Sequence, residues 1–219
     1  MSDSQNITKL GTSASEIRLV NNVFVKTHKS NKISELNAIK KGINIISKNL
    51  PYTIECPEFI EIQKSVDINE EFHLTYNQKK LHPWIKADWI TGQQLYQVGE
   101  TILKQQSLLF NEDLCLIDAR PENYWLAKTK GVLVDLGSIK PLNRQNLLSF
   151  ETDFQKHFIT PLILEIELNL PVSSYFKGQL QSSNINLWGL NRNLRSITSI
   201  KDLIKNSFVD FISNIISSS

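Results

Sequence analysis

The stretch that most constrains the fold is residues 114–141, LCLIDARPENYWLAKTKGVLVDLGSIKP. Two short apolar runs, LCLI and GVLV, have the length of buried strands, and each ends in an aspartate, Asp118 and Asp135. The plain reading is a hairpin whose Asp and Asn side chains satisfy turn backbone groups. The combined pattern is richer than such a turn needs. Asp118 is followed by Arg120, Pro121, Glu122 and Asn123, and Asp135 by Gly137.

Around this stretch the periodicity changes along the chain. EIRLV and NVFVKT read as two strands joined at the turn pair Asn21 and Asn22. Residues 32–49 then take a helical period, with Ile33, Leu36, Ile43, Ile46 and Leu50 on one face and Pro51 closing the segment. EFIEIQKS and EFHLTYNQ read as two further strands. A second helix is expected over residues 93–110, carrying Leu95, Val98, Ile102 and Leu109 on one face. Beyond residue 141 the pattern is mainly helical: residues 146–168 broken at Pro161, and an amphipathic segment over 197–216. Sheet plus helix followed by helices implies an α+β fold.

Bulk properties exclude several classes of function. Among 219 residues, 24 Lys and Arg face 22 Asp and Glu, and a net charge of +2 is too weak to imply nucleic acid or an anionic membrane as partner. Cys56 and Cys115 form no CxxC pair, so neither a disulfide framework nor a zinc site is expected, and a reducing cytoplasm is the natural compartment. No signal peptide or apolar run of membrane-spanning length is apparent. The four histidines, His28, His73, His82 and His157, are scattered and match no metal-binding pattern.

The motifs DARPEN and VDLGS resemble those of the protein-kinase superfamily, whose catalytic loop reads Asp-x-Lys-Pro-Glu-Asn and whose metal-binding turn reads Asp-Phe-Gly. Arg120 stands where that lysine stands, and Leu136 where the phenylalanine stands. The resemblance implies a two-lobed kinase-like fold, with a small β-rich lobe over residues 1–80, a reduced helical lobe over 81–219, and ATP between them. It implies Asp135 and Asn123 as magnesium ligands, Asp118 as the group that orients the acceptor hydroxyl and takes its proton, and Arg120 as the cation facing the transferred phosphoryl group. The oxygen preference of magnesium suits a carboxylate and an amide from facing loops.

Upstream, KLGTSASEIRLVNNVFVKT resembles the phosphate-covering turn and lysine strand of small-molecule phosphotransferases of the aminoglycoside type. This implies phosphate contacts from Gly11, Thr12 and Ser13, a phosphate-binding Lys26, and Glu35 as its ionic partner on the following helix. Parts of the second half, including HPWI, LIDARPEN and FQKHFITPLIL, also resemble the kinase-like N-terminal part of some bacterial proteins in which a methyltransferase domain follows.

Four features depart from the kinase pattern: Leu116 replaces the histidine two positions before the catalytic aspartate, Gly11 alone remains of the glycine-rich loop, Phe24 occupies a position where kinases keep a small residue against adenine, and no Ala-Pro-Glu segment follows Asp135. The leading expectation is ATP- and magnesium-dependent phosphotransfer to a hydroxyl of a small molecule or an unusual acceptor. The alternative is a pseudokinase that binds a protein partner, with or without nucleotide. Nucleotidyl transfer in the same fold stays open.

Overall fold

β-rich runs early in the chain build one antiparallel sheet. The structure, a computed structural model, describes residues 15–20, 23–65, 71–79, 90–127 and 130–177. Within these, β1 (Ser15–Val20) and β2 (Val23–Ser30) pair antiparallel, as the sequence implies. Asn21 and Asn22, the expected turn, lie outside the described residues, as do Gly11, Thr12, Ser13 and the 197–216 segment. The helix α1 (Ile33–Asn49) follows, then β3 (Ile60–Lys64) and β4 (Phe72–Lys79), giving the strand order β1-β2-β4-β3.

Register sets which side chains share a face. Residues opposite one another in antiparallel strands point the same way. Ile17 faces Lys26, Lys26 faces Tyr76 and Tyr76 faces Ile60, so these four form one row across the sheet. His28 and Leu74 form part of the next row, and Phe24 and Gln78 part of the row on the other side. Leu74 and Tyr76 on this face are fully buried. Leu36, Ile39, Ile43 and Ile46 of α1 join them in one core cluster, whereas Ile33, expected on the same apolar face, is 45% exposed at the helix start.

The helix α2 (Gly92–Phe110) begins at a capping box between Thr91 and Gln94, which satisfies otherwise unpaired backbone donors. Its expected apolar residues Leu95, Val98, Ile102 and Leu109 are each 0% exposed. Burial of that kind contributes about 1.5–3 kcal/mol per large aliphatic side chain.

The two apolar strands of the 114–141 stretch are not each other's partners. β5 (Leu114–Leu116) pairs with β8 (Ile139–Pro141), while β6 (Tyr124–Ala127) pairs with β7 (Lys130–Leu133). Two nested hairpins result, and each aspartate lies just past the strand before it. Helices α3 (Arg144–Phe154), α4 (Thr160–Leu168) and α5 (Val172–Phe176) complete the described chain. The interruption expected at Pro161 does not occur: the backbone stays helical from Arg144 to Leu168, and Pro161 sits in the first turn of α4. Proline cannot donate an amide, and a π-helical turn at Gln155–Ile159 precedes the helix that accommodates it. The architecture is α+β: a small sheet carrying one helix, then a mainly helical part.

Candidate active site

The backbone just past β7 is where the sheet meets the helical part. Leu133 donates its amide to the Thr53 carbonyl at 2.9 Å, and Glu55 donates back to the Leu133 carbonyl at 3.1 Å. The segment after α1 is thereby hooked onto β7. A buried network reinforces it: Gln105 donates to the carbonyl and hydroxyl of Thr53 at 2.6 and 3.0 Å, and the Tyr124 hydroxyl donates to Gln105 at 2.9 Å.

Lys26 reaches across this junction. Its side chain is 6% exposed, and Nζ donates to the Val134 carbonyl at 2.8 Å, one residue before Asp135. Burial lowers the lysine pKa, and the nearby Asp135 carboxylate opposes that shift. The same carboxylate acts on three other buried groups. With burial it raises the phenol pKa values of Tyr76 and Tyr124, and it partly offsets the burial that brings His28 down to about 4. Asp135 is therefore the negative centre of a site in which these neighbours are protonated phenols, a neutral imidazole at pH 7 and a buried amine.

The turn after Asp135 is closed on itself. Asp135 Oδ1 accepts the Gly137 amide at 3.3 Å, and the Asp135 carbonyl accepts the Ser138 hydroxyl at 2.7 Å. Leu136 turns inward and is 0% exposed.

Asp118 sits in the left-handed region at φ 56°, a conformation Asp tolerates better than most residues. Its neighbours hold it there. Arg120 donates its amide to the Asp118 carbonyl at 2.9 Å, and Asn123 Nδ2 donates to that carbonyl at 2.7 Å and to Asp118 Oδ2 at 3.1 Å. Arg120 Nε lies 2.6 Å from Asp118 Oδ1, with the two side chains 52% and 37% exposed. Asp118 Oδ1 itself is buried and has no hydrogen-bond partner among the described residues, so the Arg120 cation is what offsets its charge. Asn123 is tied in turn to the second motif, because Val134 donates its amide to the Asn123 carbonyl at 3.0 Å.

These contacts join Lys26, Asp118, Arg120, Asn123 and Asp135 into one connected site. Glu35 does not belong to it. It accepts a hydrogen bond from the Ser30 hydroxyl at 3.1 Å and lies 4.0 Å from Lys32, and no ion pair with Lys26 forms. Lys26 is drawn to the Val134 carbonyl, while Glu35, in the first turn of α1, is engaged by the residues that lead into the helix. Phe24 shares the face of Lys26 by strand alternation, is half-buried, and stands outside the core cluster.

Donor chemistry at the site suits magnesium. Among the described residues, Asp135 Oδ2 and the Asn123 side-chain oxygen take part in no hydrogen bond, since Asn123 spends its amide nitrogen on Asp118. One carboxylate and one amide oxygen suit a cation that keeps several waters and takes further ligands from phosphate. Among the described residues no group of three or more His, Cys, Asp or Glu side chains could hold a metal by itself. No described helix is long and apolar enough to cross a membrane.

His28 and Tyr76 escaped the motif reading. The usable signal was strand alternation, which puts the residue two beyond Lys26 on the same face.

No family model and no curated protein matches the sequence. Solved structures similar to it include the following two. WbdD aligns with a TM-score of 0.45 at 13% identity, over 85% of this chain and 50% of that one. The Cydia pomonella granulovirus kinase PK-1 aligns with a TM-score of 0.40 at 15% identity, over 63% of this chain and 55% of that one. The chain thus spans about half the length of these two solved chains.

Proposed function

We propose that this chain is a kinase-like phosphotransferase that uses ATP and magnesium to phosphorylate a hydroxyl of a small molecule or an unusual acceptor. The observation that carries this reading is the Lys26 ammonium bound 2.8 Å from the Val134 carbonyl, beside the Asp135 carboxylate and linked through Asn123 to Asp118. A buried amine beside a carboxylate with an unused oxygen is an arrangement that phosphate and its counter-cation can enter together.

In this reading Lys26 holds the nucleotide phosphates, with Gly11, Thr12 and Ser13 as further phosphate contacts. Asp135 and Asn123 hold magnesium, whose chemistry is to neutralise phosphate charge. Asp118 accepts the proton of the acceptor hydroxyl as its oxygen bonds to the terminal phosphorus and the bond from that phosphorus to the bridging oxygen breaks. Arg120 moves from Asp118 to the transferred group. Glu35 stays with Ser30 and Lys32 and orders the entry to α1.

A second reading has a specific basis. Phe24 lies on the Lys26 face outside the core cluster, and among the described residues Lys26 has no glutamate partner. Both features suit a pseudokinase that binds a protein partner, with any nucleotide held and not turned over.

ATP consumption separates the two, with water or the chain itself serving as acceptor. The enzyme reading expects magnesium-dependent ADP release that falls by about 10²–10⁴-fold in Asp118→Asn, the usual contribution of a positioned base. Equal rates in the two proteins remove the enzyme reading. Binding of magnesium-ATP with no turnover in either supports the second.

A further inference from the structure

We propose that His28 is a positioning residue for Asp135: its ring, held by Tyr76, lies against Gly137 and props the turn that aims the carboxylate. This rests on the metal-binding role given to Asp135 above. Three observations carry it. First, the imidazole is fixed from behind, with Nε2 3.0 Å from the Tyr76 hydroxyl and the two rings stacked at 5.6 Å between centroids and 21° between planes. Second, the ring fills the space that a side chain at 137 would need. A Cβ there would collide with His28 Cε1 and lie 3.0 Å from both ring nitrogens, so any side chain at 137 would displace the ring. Third, Gly137 is the residue whose amide caps Asp135 Oδ1.

Strand geometry explains the division of labour. Lys26 and His28 are alternate residues on one face of β2, about 7 Å apart along the strand. Lys26 grips the residue before Asp135, at the Val134 carbonyl, and His28 presses on Gly137, two residues after it. The turn is thus braced on both sides from a single strand. Pressure from the ring keeps the Gly137 amide on Oδ1 and leaves Oδ2 for a cation.

Hydrogen exchange on the nucleotide-free protein tests the brace directly. In His28→Ala the amides of Gly137 and Ser138 should exchange about tenfold faster, while that of Leu133, bonded to Thr53, keeps its rate. His28→Phe, which retains a ring, should restore most of the protection. ATP titration adds a second readout: His28→Ala should lose about tenfold in affinity with magnesium present and nothing in EDTA. Unchanged exchange at 137 and 138, acceleration spread equally over β4 and β7, or equal affinity loss with and without magnesium would each overturn the proposal. If the unmodified chain binds no nucleotide, the proposed function fails, and the exchange experiment still decides whether His28 braces the turn.

Discussion

At the scale of single residues, the site is governed by how few charges its interior contains. Burial is the largest influence on His28 and disfavours its protonation; the Asp135 carboxylate opposes burial, and Lys26 and Lys140 add to it. The His28 pKa of about 4 against an ordinary 6.5 has a consequence for stability. Between these values the unfolded chain binds the proton more readily than the folded one. The stabilisation is therefore complete above pH 6.5 and is lost as pH falls toward 4. At about 1.4 kcal/mol per unit, the loss is on the order of 3 kcal/mol. His28→Gln removes the titration while keeping a hydrogen-bonding group near Tyr76. Denaturant curves of the two proteins should separate between pH 6.5 and 4, with the unmodified protein losing more; parallel curves would place the imidazole in water.

Legibility at this scale followed chemistry carried by spacing. Asp118, Asn123 and Asp135 could be assigned to one site because DARPEN and VDLGS together resemble a motif pair that reaches one magnesium ion from two loops. Lys26 could be placed because VFVK resembles the family's lysine strand, although β2 continues past it to Ser30. The partners could not be placed. A lysine chooses between a carboxylate and a carbonyl by reach and rotamer, and neither is written in the order of residues. The pairing of Glu35 with Ser30 and Lys32 was invisible for the same reason.

At the scale of elements, α1 is fixed to the lower structure by close packing. A Cβ on Gly42 would lie 2.5 Å from Ile139 Cγ2 and 3.1 Å from Leu109 Cδ2. Ile139 is 0% exposed and starts β8, directly after the Asp135 turn. Gly42→Ala sets two effects against each other. Helix propensity favours alanine by about 1 kcal/mol, and overpacking costs about 1–3 kcal/mol. The clash involves a methyl on a branched carbon with no room to retreat, so overpacking should win, with a net loss of about 1 kcal/mol or more in urea unfolding. Unchanged or increased stability would mean that α1 sits less tightly on β8. Helical period was readable for α1 and α2 because each buries one face along its length. Pairing of β5 with β8 was not, because the sequence shows the apolar runs but not which strand closes against which.

At the scale of the whole molecule, one short segment gathers several contacts from the β-rich part. Ile54 bridges Leu133, Lys26 binds Val134, His28 rests on Gly137, and Gly42 packs on Ile139. Residues 133–139 therefore receive the sheet, α1 and the link after α1 in turn. If that segment holds a cation through Asp135, nucleotide binding should depend on magnesium and on that one carboxylate. Calorimetric titration with ATP, in magnesium and in EDTA, for the unmodified chain and for Asp135→Asn, measures this most directly. The account predicts binding by the unmodified chain that is at least about tenfold tighter with magnesium, and a magnesium effect that vanishes in Asp135→Asn. ATP affinity that is the same in all four titrations, or absent from all four, would contradict it.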